Sequence, residues 1–453
     1  MRVGIIGGGL AGLAAGCELA ERGHAVEVLE RRPWAGGATY SYRDEETGSW
    51  VDNGQHVFMR CTTAYQAFLE RLGTLHLTRR QRHLRVPVFD AAGRRSGLTA
   101  TNLPFGLHLA PGFLRYRHLS WRQKFQVSRV IVAVSRLRAE ARAELNDVTF
   151  AAWLERLGQA PETIRDFWDF LVIPTLNCRS HQASASQALF VLEEGFLKNP
   201  TAAAIGLPGV GLSELHVEPA VRYIEDRGGK LSPRTTVERI EIDDGRVGGL
   251  TLRNGERRTF DAYICALPPW RLLPLLPESA RQGAFGALAQ FEAAPILNLH
   301  LWFDRPVASF AFAAFLHSEI QWVFNESSLG KGRNGAGPKE QAGEQHLVLS
   351  ISAPGELFAL DKEALRARLL PQLRAALPAA RAAELVRYLA VKEPEATFVP
   401  APGLTRPGPR TPFANLFLAG AYTDTGWPAT MESAVRSGLA AAAAADATGD
   451  GSA

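Results

Sequence analysis

Residues 2–30 read RVGIIGGGLAGLAAGCELAERGHAVEVLE. An apolar run, Val3-Gly4-Ile5-Ile6, leads straight into Gly7-Gly8-Gly9-Leu10-Ala11-Gly12, a G-x-G-x-x-G turn. The next residues carry apolar side chains at helical spacing, and a second apolar run, Ala25 to Leu29, ends on an acid, Glu30. This order predicts strand, glycine turn, helix and strand, the opening of a doubly wound α/β sheet. Each residue type has a physical task. Gly7 permits the tight turn, Gly9 lets the main chain approach a pyrophosphate, and Gly12 lets helix and strand pack closely. The helix start offers unbonded N–H groups and the positive end of its dipole to the phosphates. Glu30, eighteen residues past Gly12, is placed to accept ribose hydroxyls. A glycine-rich turn alone occurs by chance. Set between strand and helix, with the acid at this distance, it predicts an adenine dinucleotide site.

That fingerprint does not separate FAD from NAD. After Glu30, however, come Arg31-Arg32-Pro33-Trp34-Ala35-Gly36-Gly37, where a nicotinamide enzyme would continue to its next helix. The Gly36-Gly37 pair suits a second close approach of backbone to a cofactor, with an ordinary turn as the alternative. Acid, basic pair and double glycine together resemble the N-terminal signature of the amine oxidase and phytoene desaturase superfamily of flavoproteins. The resemblance implies FAD.

Composition agrees with a large soluble enzyme. The chain has 453 residues, 46% hydrophobic and 21% charged, enough for two or three domains or one large intertwined unit. Net charge is only +4, with basic residues spread along the chain, which excludes a nucleic-acid footprint. Cys17, Cys61, Cys178 and Cys265 lie far apart with no metal-ligand spacing, and read as reduced, mostly buried thiols of a cytoplasmic protein. Arg2 and the apolar run after it imitate a leader peptide. The glycines sit where the nucleotide fold needs them, so no removable leader is expected. No uninterrupted apolar stretch reaches the length of about 18 residues that a membrane-spanning helix needs.

The far end of the chain returns to the cofactor. Asn415 to Gly420 reads as a buried strand ending on glycine, and a polar loop, Ala421 to Thr430, leads into a helix from Met431. In between, Thr236 to Ile242, Val247 to Leu252 and the turn Asn254-Gly255 predict a β-meander, after which Ala262 to Ala266 rejoins the parallel sheet. The predicted fold class is α/β: a discontinuous Rossmann-like FAD-binding domain with a β-meander, plus a mixed α+β substrate domain. The first takes residues 1–85, 205–280 and 405–445; the second takes 86–204 and 281–404. Trp121 to Leu197 reads as mainly helical, including Lys124–Leu145 and Phe150–Leu157. Pro295–Phe303, Gln321–Asn325 and His346–Ser352 read as strands, Asp361–Leu377 as an amphipathic helix, and Gly330–Glu344 as a surface loop.

Three further strings narrow the resemblance. Val51-Asp52-Asn53-Gly54-Gln55-His56, Leu215-His216-Val217-Glu218-Pro219-Ala220, and Thr423-Asp424-Thr425-Gly426-Trp427-Pro428-Ala429-Thr430-Met431-Glu432 resemble bacterial hydroxysqualene dehydroxylases, flavoproteins of hopanoid biosynthesis. The resemblance implies reductive removal of an allylic hydroxyl from hydroxysqualene, a C30 isoprenoid, to give squalene, with reduced FAD as donor. It implies FAD contacts at Gly7, Gly9, Gly12, Glu30, Arg31, Gly36, Gly37, Gly54, Gly420 and Met431, and a backbone contact to adenine at Val237. Two positions depart from the superfamily pattern: Ala38 replaces the usual Arg after the double glycine, and Ala421 replaces an acid that bonds the ribityl chain. Each loss removes a polar contact worth on the order of 1–3 kcal/mol; Asp424 is a candidate replacement.

Hydroxide is a poor leaving group, so a proton donor should assist it. His56 is the first candidate, with Asp52 and Asp424 next; the alternative is that His56 and Asp52 only position the Gly54 loop. His216 and Glu218 read equally well as organisers of a helix start. Trp427, Tyr422, Trp270 and Trp302 are candidates for an isoprenoid tunnel or for ordinary core. Residues 102–118, apolar, broken by Gly and Pro and ending in Arg115 and Arg117, suit peripheral contact with the inner face of a membrane, or a helical hairpin over the core. No metal site and no electron donor is indicated. Competing functions are an isoprenoid or carotenoid desaturase, or a non-catalytic isoprenoid-binding protein of the same fold.

Overall fold

The glycine turn lies where the strand Arg2–Ile6 meets the helix Leu10–Glu21. In the computed structural model, which describes residues 1–103, 107–329 and 343–449, that strand is the centre of a five-stranded parallel sheet. The order is Lys230–Ser232, Ala25–Leu29, Arg2–Ile6, Ala262–Cys265, Leu416–Leu418. Val3, Ile5, Val28 and Ile264 are completely buried, as continuous apolar runs must be in a parallel sheet covered on both faces. The helix Met431–Gly449 packs on Leu10–Glu21 through small residues: a Cβ on Gly438 would stand 2.2 Å from the Ala11 carbonyl oxygen. The meander Val237–Asp243, Arg246–Leu252 and Arg257–Arg258 is inserted between an edge strand and a central one, and turns at Asn254-Gly255, where Gly255 takes φ +84°.

A second sheet has seven strands. Its order is Leu385–Phe398, Ala293–Phe303, Gln345–Ser352, Trp322–Asn325, Phe312–Leu316, Arg85–Asp90, Arg95–Thr99. Every pairing is antiparallel except Phe312–Leu316 with Arg85–Asp90. Helices from the 121–197 region bury Val127, Val130, Trp168 and Leu189 against Phe312, Phe324 and Val348 on one face. On the other face the helix Lys362–Ala376, capped by Asp361 Oδ1 on the Ala364 N–H (2.8 Å), sets Leu365, Leu369 and Leu373 on Leu297, Leu299 and Leu349.

Two features differ from the sequence reading. The helical stretch expected over Lys124–Leu145 starts at Trp121 behind a Ser120/Gln123 capping box and stops at Ser135. Its buried stripe, Lys124, Val127, Val130 and Val134, runs out there, and only a short helix, Ala139–Ala143, follows. The hairpin Arg85–Thr99 went unread because Pro87 interrupts its first strand, Gly97 its second, and its parallel partner lies far along the chain. Within the stretches named above, residues 104–106 and 330–342 lie outside the described residues.

Candidate active site

The nucleotide turn is held by its own glycines. Gly7 takes φ +106°, and a Cβ there would stand 2.9 Å from the Ala266 carbonyl oxygen. A Cβ on Gly12 would stand 2.0 Å from the Gly7 carbonyl oxygen, so only glycine lets the first helical turn settle against the loop. Gly12 therefore lies beneath the site rather than on its surface. Glu30 is buried; its Oε2 accepts from the Gly8 N–H and its Oε1 from the Arg32 N–H, both at 2.8 Å. These bonds fix the carboxylate at the cavity wall and leave lone pairs for ribose hydroxyls. The double glycine serves the turn itself. The Gly36 N–H donates to the Gly8 carbonyl (2.7 Å), and a Cβ on Gly37 would stand 2.9 Å from Gly9 Cα. Just before Ala38, Arg32 Nη1 donates to the Gly37 carbonyl (2.9 Å).

Gly7, Gly9, Glu30, Arg31, Gly36, Gly37, Gly54, Val237, Gly420 and Met431 all line one cavity of about 1140 Å³. It is closed at the far end of the sheet by the loop after Leu416–Leu418. There the Gly420 N–H donates to Ser437 Oγ (2.8 Å), and Arg406 gathers the loop. Its guanidinium donates to the carbonyls of Ala421 (2.8 Å), Tyr422 (3.2 Å), Thr423 and Trp427 and to Ser433 Oγ (3.2 Å). Burial lowers the Arg406 pKa to about 10, short of releasing its proton at neutral pH. Arg406 escaped the sequence reading because most of its partners are main-chain atoms, which leave no residue-type signal.

Beyond Gly54 the cavity becomes mostly apolar. Phe58, Met59, Pro174, Leu176, Ile296 and Trp427 line it, with His56, Gln55 and Asn298 among the polar groups. His56 Nδ1 lies 2.8 Å from the Gly54 carbonyl, which assigns the proton to Nδ1 and fixes the ring. Two candidate acids are elsewhere. Asp52 stays outside the cavity: its Oδ1 accepts from Ser41 Oγ (2.6 Å) and the Leu212 N–H (3.0 Å), tying the Trp50–Asp52 strand to residue 212. Asp424 is exposed and accepts from the Gly426 N–H (3.1 Å) in a turn, so it is not placed to replace the acid missing at Ala421. Trp427, Tyr422 and Trp270 line the cavity; Trp302 does not, being stacked on His346 with ring centroids 4.1 Å apart. All four cysteines have pKa values pushed up to about 12 by burial, consistent with inert thiols. Among the described residues, no cluster of His, Cys, Asp and Glu could hold a metal ion.

His216 is a clamp behind this wall. It is fully buried between Tyr65 Oη (3.2 Å from Nδ1) and Thr39 (Oγ1 3.0 Å from Nε2), and burial, aided by nearby His56, pulls its pKa down to about 4. An unfolded histidine titrates near pH 6.5. Above that, both states are neutral at this residue. As pH falls from about 6.5 towards 4, only the unfolded chain takes up the proton, and stability on the order of 3 kcal/mol is lost. Denaturant midpoints at pH 7 and 5 should therefore fall less in His216→Gln than in the wild type; an equal fall in both would remove His216 from the acid response.

A dinucleotide cradle opening into a largely apolar chamber is the geometry of an oxidoreductase that works with a bound dinucleotide cofactor, and the family match makes that cofactor a flavin. The chain belongs to the flavin containing amine oxidoreductase family, whose model matches residues 10–445. The residues fit the cofactor: glycines clear the turn, Glu30 is poised for ribose, and the last helix starts at the cavity wall with Met431. The chain is 28% identical over 480 residues to zeta-carotene desaturase of Synechocystis sp., covering 98% of this chain and 97% of that one. It is 26% identical over 448 residues to hydroxysqualene dehydroxylase of Zymomonas mobilis, covering 97% of each. Among solved structures, putrescine oxidase with bound putrescine matches with a TM-score of 0.73 at 18% identity, covering 99% of each chain. An oxidoreductase from Methanosarcina mazei matches with a TM-score of 0.73, also at 18% identity, covering 97% of this chain and 99% of that one. The structural matches speak for the fold alone.

Proposed function

We propose that the protein removes the allylic hydroxyl of hydroxysqualene reductively, giving squalene for hopanoid biosynthesis. One observation carries this reading. The Gly54-Gln55-His56 and Trp427-Pro428-Ala429-Thr430 strings, from opposite ends of the chain, line the same cavity as the cofactor cradle. The chamber they border is mostly apolar, as a C30 chain requires, with a histidine on its wall. Reduced FAD, when bound, supplies a hydride to the allylic carbon. The C–O electron pair leaves with oxygen, and a proton from His56 turns the departing group into water. With the Nδ1–H bonded to the Gly54 carbonyl, His56 donates as the imidazolium, from Nε2. The apolar walls keep bulk water from the allylic centre while charge develops.

The test is anaerobic turnover with added FAD, dithionite and hydroxysqualene. Squalene should form only with reduced flavin, and His56→Gln should slow it about 100-fold at unchanged flavin content. No squalene from protein with spectroscopically confirmed flavin overturns the proposal. A second reading, desaturation of a carotenoid or other isoprenoid, is favoured by the zeta-carotene desaturase match. It predicts desaturated product from a carotene and an electron acceptor under the same analysis.

Such a substrate resides in membrane, and the proposal includes peripheral attachment at the cytoplasmic face. No helix among the described residues is long and apolar enough to cross a membrane. In the described part of 102–118, Leu103, Leu107 and Leu114 are exposed, and the next helix adds Trp121 and Phe125, 72% and 68% exposed, beside Arg115, Arg117 and Arg122. Lys124 Nζ donates to the Leu114 carbonyl (2.7 Å) and lies 4.7 Å from the Trp121 ring, which ties the two segments into one patch. Apolar side chains among arginines suit an anionic headgroup layer. The protein should float with phosphatidylglycerol vesicles, and Trp121→Ser/Phe125→Ser should remain in the dense fraction. Wild-type protein that stays there too rules the attachment out.

A further inference from the structure

The strand Ala293–Phe303 lies inside the seven-stranded sheet, with main-chain partners on both sides of Asn298 at Ser350 and Val391. Leu297, Leu299 and Leu301 point to the core under the helix Lys362–Ala376. Asn298 points the other way and lines the cavity with Ile296. Its side chain is completely buried, and neither Oδ1 nor Nδ2 has a hydrogen-bond partner. The other buried asparagines among the described residues are all engaged. Asn53 donates to the Ala38 carbonyl, Asn177 to the Ala294 carbonyl, Asn325 to the Phe310 carbonyl and Asn415 to the Val247 carbonyl. An enclosed amide with no partner destabilises the fold, and leucine would sit in such a strand without that penalty. The pattern is that of a group whose partner arrives with a ligand.

The surroundings say what kind of ligand. Asn298 Nδ2 is 3.6 Å from where a Cβ on Gly54 would stand, and the Gly54 carbonyl holds the His56 ring. Gln55 Nε2, also at the cavity wall, is enclosed without a partner as well. A hydroxyl can accept from Nδ2 while donating to Oδ1, so one small group satisfies both ends of the amide. A hydrocarbon satisfies neither. We infer that Asn298 is the recognition residue for the hydroxyl of an isoprenoid alcohol, holding its oxygen beside His56 and rejecting the hydrocarbon analogue. This inference rests on the dehydroxylase reading. It adds a second role for the Nδ2–H, which stays on the oxygen as negative charge gathers there during C–O cleavage.

The test measures binding rather than turnover. Hydroxysqualene and squalene are titrated separately into oxidised holoenzyme, followed by the flavin absorbance change. Asn298→Leu should weaken hydroxysqualene binding about 10- to 100-fold, leave squalene binding unchanged and keep the flavin spectrum. Asn298→Ala should show the same selectivity and serves if the leucine variant does not fold. Equal loss for both ligands, or unchanged alcohol binding, overturns the inference. So does a flavin spectrum altered before any ligand is added, which would assign the amide to the cofactor. Because no turnover is required, the wild type's preference between alcohol and hydrocarbon decides this point even if no squalene forms in the anaerobic assay.

Discussion

Replacing Arg406 with leucine is expected to abolish flavin retention and to lower stability by about 3 kcal/mol. The guanidinium serves four carbonyls and one hydroxyl of the segment that passes from the last strand to the last helix. Leucine fills part of the space but takes the guanidinium donor from the Tyr422, Thr423 and Trp427 carbonyls, leaving the Ala421 carbonyl only its bond from Ser433 Oγ; each lost bond costs on the order of 1 kcal/mol or more unless the loop opens to water. If it opens, Ala421, Tyr422 and Trp427 leave the cavity wall. Arg406→Lys should recover only part of the loss, because a single ammonium cannot span the fork of acceptors. The check is the ratio of flavin to protein absorbance after purification, with denaturant unfolding of the same samples. A leucine variant that keeps both flavin and stability would show that the loop is organised by something else.

The second large effect separates two glycines of one motif. In Gly12→Ala the new Cβ meets the Gly7 carbonyl oxygen at 2.0 Å, a main-chain atom that cannot rotate aside. Helix and turn must part, and the variant should unfold at distinctly lower denaturant and carry no FAD. In Gly9→Ala the nearest atom is Gly37 Cα at 3.7 Å, an ordinary contact. That variant should fold with near wild-type stability yet bind FAD at least 10-fold more weakly, because the methyl group stands where the pyrophosphate approaches. Denaturant midpoints and FAD titration distinguish the two. Equal destabilisation in both variants would deny the division of labour.

The cradle was legible in the sequence because its physics is local: Gly7, Gly9, Gly12 and Glu30 lie within thirty residues, and each is there for a stereochemical reason. The meander and the final strand-loop-helix were legible for similar reasons, through alternation, an Asn-Gly turn and a glycine after an apolar run. The candidate acids were less so. Asp52 and Asp424 occur in the same strings as His56, but whether a carboxylate faces a cavity or caps a turn depends on partners such as Leu212 and Gly426 that only the folded chain supplies. Arg406 left no trace, since carbonyl acceptors are the same whatever the residue. Asn298 did leave one: an amide in the middle of a strand otherwise rich in leucine. Its significance depended on knowing that no neighbour bonds to it.

The sheet that bears the cradle takes strands from the first thirty residues, the middle and the last forty, and Gly438 beds its helix against Ala11. During synthesis this order has a price. The nascent chain displays the glycine turn long before the strand Leu416–Leu418 and the helix Met431–Gly449 emerge from the ribosome. Until then Ala262–Cys265 is an open sheet edge and Leu13, Ala14 and their neighbours lack their cover. Loading of FAD is thereby postponed until that helix has emerged, and the chain that still lacks it is the form most in need of a chaperone.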